Sequence, residues 1–166
     1  VADAADNPST IIGWHCHIYF APESRAAAVR LNEDVQDHFR IWDYRWLDHT
    51  NGLHPTPMFR FQFAGEDLGR FVPWITLNRA GLSIMIHAIT GDDLYDHAQN
   101  AMWLGEPLKL DLEALREMQA RIRRGELPAA LMPATQVSEV EAGGRVRYRP
   151  GDDPHLQPPA AVPPSA

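Results

Sequence analysis

Apolar and polar positions alternate along "IIGWHCHIYF", residues 11–20, and predict a β-strand with two unlike faces. Alternate side chains share a face, so His15, His17 and Tyr19 lie on one side and Trp14, Cys16, Ile18 and Phe20 on the other. "APES" then opens a helix, with Pro22 and Glu23 in its first turn where each is tolerated or favoured. Leu31, Val35, Phe39 and Trp42 give that helix an apolar face at spacings of four, four and three. "LDHTNGLHPTP" carries Asn-Gly and two prolines and reads as a loop. "MFRFQF" alternates strictly, with Phe59, Phe61 and Phe63 opposed to Met58, Arg60 and Gln62, and is a second, half-buried strand.

"GEDLGRFVPW" reads as a connection and "AGLSIMIHAI" as a third strand, with Ile84 and Ile86 opposed to Ser83, Met85 and His87. "TGDDLYDHAQNAMWLG" follows as a second helix. Thr90 with Asp93 resembles a capping box, Leu94, Ala98, Ala101 and Leu104 form its stripe, and Gly105 ends it. "LKL" is a short fourth strand, and "DLEALREMQARIRRG" is an amphipathic helix capped by Asp111 and stopped by Gly125. "QVSEVEAGGRVRYRP" reads as a hairpin turning at Gly143-Gly144. Residues 1–10 read as a flexible arm, and the Pro-rich tail 151–166 as disordered unless it docks.

The order β-α-β-β-α-β predicts an α+β fold, a ferredoxin-like antiparallel sheet with helices on one face, in a single domain spanning residues 11–150. In that topology the first and third strands are central neighbours. The face away from the helices is free for a ligand or a second subunit, and it is the face holding His15, His17 and His87. A small domain with such a face predicts a homodimer, or a lid formed by the C-terminal segment.

Composition narrows the classes. With 45% apolar and 22% charged residues the chain is globular, and a net charge of −7 argues against nucleic acid or an anionic membrane surface as partner. The densest basic run, "RIRRGE", ends a helix; no apolar run approaches a membrane span, and "VADAADNPST" lacks the features of a signal peptide, so the expected compartment is the cytoplasm. The one cysteine, Cys16, leaves no internal disulfide and no thiolate-rich zinc site.

Eight histidines carry the candidate chemistry: His15, His17, His38, His49, His54, His87, His97 and His155. Three or four imidazoles meeting from separate elements make a metal site, and neutral imidazole suits zinc, iron, copper or nickel. No carboxylate occupies an obvious inward position beside them; Asp96 is adjacent to His97, but neighbours on a helix point about 100° apart. The bland reading is that His15 is a half-solvated sheet residue and that His38, His49 and His155 are surface groups.

"HIYF", "LHPTPMFRFQF", "VPWITLNRAGLSIMIH" and "TGDDLYDHAQNAMWLGEPLKLD", in this order and spacing, resemble the DOPA 4,5-dioxygenase family over roughly residues 12–115. The resemblance implies a ferredoxin-like domain that cleaves a catechol, such as L-DOPA or caffeate, with O2 and non-haem Fe(II), opening the ring beside the diol to a muconic semialdehyde. The matching histidines are His17, His54, His87 and His97. On this reading His17, His54 and His87 bind the metal, and His97 or His15 is the acid–base group. Tyr19 and Arg60 hold the polar end of the substrate, and Trp14 and Trp74 form apolar walls. Two other classes stay open: a non-catalytic small-molecule-binding protein, and a zinc hydrolase or lyase using the same histidines.

Overall fold

The computed structural model describes residues 11–126 and 147–150. Its backbone is a five-stranded, wholly antiparallel sheet with four helices. The elements run β1 (Gly13–Tyr19), α1 (Arg25–His38), β2 (Ile41–Leu47), β3 (Met58–Phe63), α2 (Leu68–Asn78), β4 (Ser83–Ile89), α3 (Asp93–Ala98), β5 (Ala101–Leu104) and α4 (Leu112–Arg123). The strands lie side by side as β2-β3-β1-β4-β5. The α+β class and the antiparallel sheet match the sequence pattern, and the sheet has one strand more than the four expected. Among the described residues no helix is long and apolar enough to cross a membrane.

Phe39 and Trp42 do not extend the first helix. α1 ends at His38, Phe39 turns extended as its C-cap, and Trp42 lies on β2. The spacing of those two residues fits a helix, but the backbone groups of β2 find partners along β3, and a paired strand outcompetes a frayed last turn. The connection expected around residues 65–74 is instead a short 3-10 turn running into α2. Pro73 removes one hydrogen bond inside that helix, yet Phe71 and Ile75 on its inner face are fully buried, and that burial offsets the loss.

The predicted second helix splits. α3 stops at Ala98, and Ala101 and Leu104 belong to β5, paired with His87 and Ile84. Its cap also differs: Asp92 accepts from the Tyr95 amide, while Thr90 bonds through its amide and hydroxyl to Asp96 rather than boxing with Asp93. "LKL" forms no strand. α4 is capped by Asp111, which accepts from the Ala114 amide, and Gly125 beyond it takes a positive φ of 74°. The predicted hairpin turn, the N-terminal arm and the Pro-rich tail lie outside the described residues. Arg147–Pro150, at the end of the hairpin segment, carry no strand.

The core sits between the sheet and α1 and α2. Cys16, Ile18, Tyr44, Trp46, Phe59, Phe61, Phe63, Ile84 and Ile86 meet Leu31, Val35, Phe71 and Ile75 there. The opposite face is not open. Tyr19, Met58 and Met85 are buried beneath Trp103, Leu108 and Leu110, and the loop before β3 is tied down where the Asp111 amide bonds to the Leu53 carbonyl. The segments that follow β2 and β5 close over this face.

Candidate functional site

Antiparallel pairing sets the histidines in rows across the sheet. His15 on β1 lies opposite His87 on β4 and Gln62 on β3, while His17 lies opposite Met85 and Arg60. Because cross-strand partners share a face, the two-residue period of β1 and β4 puts all three strand histidines on one side. His54 enters from the loop, its amide held by the Asn51 side chain at 2.9 Å. His97 enters from α3. The ring centroids lie 4.3 Å apart for His15 and His17, 4.6 Å for His17 and His54, and 4.2 Å for His87 and His97. All five are at most 6% exposed, so the half-solvated reading of His15 does not hold. His38 and His49 are exposed, as expected of surface groups.

Hydrogen bonds fix most of the ring protons. The His87 Nδ1–H donates to the Ala88 carbonyl at 2.8 Å, which leaves its Nε2 bare. That Nε2 lies 3.2 Å from the His17 Nε2, so His17 must be the donor there and its Nδ1 is the bare nitrogen. The His97 Nδ1–H donates to the Asp93 carbonyl at 2.8 Å, with the Asp93 carboxylate at 3.2 Å, and in the neutral ring its Nε2 is bare. Arg60 donates from Nη1 to the His15 Nε2 at 2.7 Å, and a guanidinium has no acceptor, so the His15 proton resides on Nδ1. The His17 Nδ1, the His97 Nε2 and the His15 Nδ1 are all buried with no partner. Two are lone pairs and one is an N–H.

Burial lowers every histidine whose titration is perturbed. His15 falls well below its ordinary value through desolvation and then through the Arg60 charge; His17 falls through desolvation and its histidine neighbours. His54 is pushed down to about 2 and His87 to about 3, again chiefly by desolvation. Burial is the largest single influence on the Asp93 carboxyl and would raise it, but its bond to His97 and the charges of His97, His87 and Arg60 together lower it, so Asp93 is an anion. Burial raises the Tyr19 phenol, which stays protonated.

Buried, neutral imidazoles with unpartnered lone pairs are what a divalent transition metal satisfies, and the donor set suits zinc, iron, copper or nickel rather than magnesium or calcium. Among the described residues two groups of three have ligand atoms within 4.8 Å of one another: His15, His17 and His87, and His17, His54 and His97. The expected trio of His17, His54 and His87 is divided between them.

Tyr19 and Arg60 reach this face but are already engaged, Tyr19 with His54 at 2.9 Å and Arg60 with His15 and Asp43. Trp14 and Trp74 do not. Both pack against the core on the helix side, because Trp14 is out of phase with His15 along β1 and Trp74 belongs to α2. The tryptophan on this face is Trp103, stacked on Tyr19 with ring centroids 5.6 Å apart. Asp93 was readable in principle, since it lies four residues before His97 on a helix; Asp43 was not, because its strand was not predicted.

The Tyr19 hydroxyl lies 2.9 Å from the His54 Nδ1. If the His54 Nδ1–H donates to the phenol oxygen, Nε2 is left for a metal, and outer groups of this kind contribute about 10–100-fold in affinity. Tyr19→Phe is therefore expected to weaken Zn(II) or Fe(II) binding by about that factor with little change in melting temperature. Unchanged metal affinity by competition with a chromophoric chelator would remove Tyr19 from this role.

The profile of the Dopa 4,5-dioxygenase family matches residues 14–114. An uncharacterized 21.2 kDa protein of Botryotinia fuckeliana is 37% identical over 115 residues, covering 62% of this chain and 63% of its own. A DOPA 4,5-dioxygenase of Amanita muscaria is 30% identical over 117 residues, covering 64% of this chain and 51% of its own. These matches therefore span less than two thirds of either relative. The crystal structure of a candidate dioxygenase from Nostoc punctiforme superposes with a TM-score of 0.66 at 39% identity, covering 68% of this chain and 98% of that one.

Proposed function

Because this chain belongs to the Dopa 4,5-dioxygenase family, we propose that it is an Fe(II)-dependent extradiol dioxygenase acting on a catechol such as L-DOPA or caffeate. The observation that carries the reading is the pair of bare, buried imidazole nitrogens, His17 Nδ1 and His97 Nε2, beside the His15 N–H. We also read the frame as ferredoxin-like with an added fifth strand; its support is that β2-β3-β1-β4 alternate with α1 and α2 in the order β-α-β-β-α-β.

His17, His54 and His97 are the proposed metal ligands. This departs from the expected set, in which His87 was a ligand and His97 the acid–base group. The Arg60 cation occupies the His15 nitrogen in the other group and would oppose a divalent ion, whereas the Asp93 carboxylate beside His97 favours one. His87 then serves as hydrogen-bond acceptor for His17. When bound, Fe(II) would supply a meeting point for the diol oxygens and O2 and a path for electrons between them. Met58 and Met85 keep water from this side of the sheet, Trp103 and Tyr19 give a flat apolar surface, and Arg60 fixes positive charge nearby. The overall change adds both atoms of O2 to the catechol and breaks one ring C–C bond, so substrate and O2 together equal the semialdehyde in composition.

The test is anaerobic loading with Fe(II), followed by L-DOPA, caffeate or protocatechuate in air. Consumption of one O2 per diol with a yellow semialdehyde absorbance is expected. Iron bound without oxygen uptake from any diol would shift the assignment to a zinc hydrolase or lyase; no metal bound at all would leave a small-molecule-binding protein.

A further inference from the structure

We propose that Asp43 is a positioning residue that acts through Arg60 to hold His15 as a hydrogen-bond donor rather than as a metal ligand or base.

Asp43 is the extra residue of a β-bulge. Between the pairs Trp42–Gln62 and Arg45–Arg60, β2 uses one more residue than β3, and the register shifts there. It adopts a positive φ of 46°, which side chains other than glycine rarely take and which Asp tolerates better than most. The bulge keeps Ile41 and Tyr44 in the core on the helix side and turns the Asp43 carboxylate, 3% exposed, onto the histidine side. There Oδ2 accepts from Arg60 Nη1 at 3.1 Å and from Gln62 Nε2 at 2.9 Å. Gln62 is fixed in turn, its Oε1 accepting from the Trp42 indole at 3.0 Å.

One nitrogen of Arg60 thus serves two partners. Nη1 carries two protons, and it donates to Asp43 and to the His15 Nε2. With the guanidinium anchored, the His15 Nε2 can only accept, and the ring proton is confined to Nδ1. Without Asp43 the buried Arg60 charge would lose its partner and its fixed aim. The consequence is a division of labour among the three unpartnered nitrogens. The lone pairs on His17 and His97 call for a cation, whereas the His15 N–H calls for an oxygen atom. Under the ring-cleavage reading that oxygen belongs to the bound diol or to O2; the proton's place on His15 does not depend on that reading.

Long-range 1H–15N correlation of the 15N-histidine-labelled full-length chain, as purified and loaded with diamagnetic Zn(II), reads the tautomer directly. His15 is expected as the Nδ1–H form. Asp43→Asn keeps a side chain that tolerates the left-handed backbone and an oxygen that accepts, and removes the charge. It is expected to turn His15 into a mixture of tautomers while amide shifts away from the bulge stay unchanged, and to lower turnover by about 10–100-fold. Arg60→Lys, which leaves Asp43 in place, is expected to release the tautomer as well. An Nε2–H form in the unaltered protein, or an unchanged His15 pattern in both variants, would overturn the proposal. The expected tautomers in a protein that cleaves no diol would leave it standing and refute the ring-cleavage reading.

Discussion

Replacing His17 by alanine is expected to remove bound metal and activity together. His17 is the one histidine common to both compact groups, so its loss breaks whichever of them holds the ion. Its ring has His15, His54, His87 and His97 around it, at centroid distances of 4.3, 4.6, 5.3 and 5.5 Å. A four-ligand structural zinc site is worth about 10–16 kcal/mol, so one ligand corresponds to roughly 3–4 kcal/mol, or about 10²–10³-fold in affinity. His87→Ala removes only the hydrogen-bond partner of His17 and should cost less, about 10–100-fold. The comparison is made by metal analysis after dialysis against one equivalent of Fe(II) or Zn(II), with a melting curve for each variant to check folding. Full occupancy in a folded His17→Ala protein would mean that neither group holds the metal. Equal losses in both variants would make His87 a ligand after all.

The parts of this site that were legible in the sequence are those governed by the shortest periods. Alternation along residues 13–19 and 83–89 placed His15, His17 and His87 on one face, because a strand's two-residue period needs no knowledge of its neighbours. Family resemblance marked His54 and His97 as companions, which no local pattern could do, since they arrive from a loop and a short helix. What stayed hidden was whatever pairing decides. Phe39 and Trp42 fit a helix until β3 supplies hydrogen bonds to β2, and Ala101 and Leu104 fit one until β4 does the same for β5. Missing β2 also concealed Asp43, whose carboxylate reaches Arg60 only because a bulge turns it there. The direction of each imidazole nitrogen was equally out of reach, because it depends on single acceptors such as the Ala88 and Asp93 carbonyls. Trp14 and Trp74, expected as walls of the site, pack against the helix-side core for a simpler reason: an aromatic side chain fits an apolar core as well as a substrate pocket.

The metal-free protein is expected to lose stability steeply below pH 6.5. His15, His17, His54 and His87 all have native pKa values lowered by burial, to about 2 for His54 and about 3 for His87. In the unfolded chain each returns to about 6.5. Above that pH both states are neutral and these groups contribute no dependence. Below it the unfolded chain takes up protons that the native site refuses, so stability falls with falling pH, and each refusing histidine accounts for about 1.4 kcal/mol per unit. One unit below 6.5, four of them together amount to roughly 5–6 kcal/mol, comparable with the whole stability of many domains, about 5–15 kcal/mol. Unfolding by acid is therefore expected near pH 5, well above the range in which the carboxylates titrate. A bound metal should move the transition to lower pH, because it binds the native state and the protons must first displace it. Melting curves by circular dichroism from pH 8 to 4.5, with and without chelator, measure both effects. A melting temperature that stays level from pH 7 to 5 in chelator would show that the cluster accepts protons in the folded state. His17→Ala, with one buried imidazole fewer, should flatten the slope by about one proton.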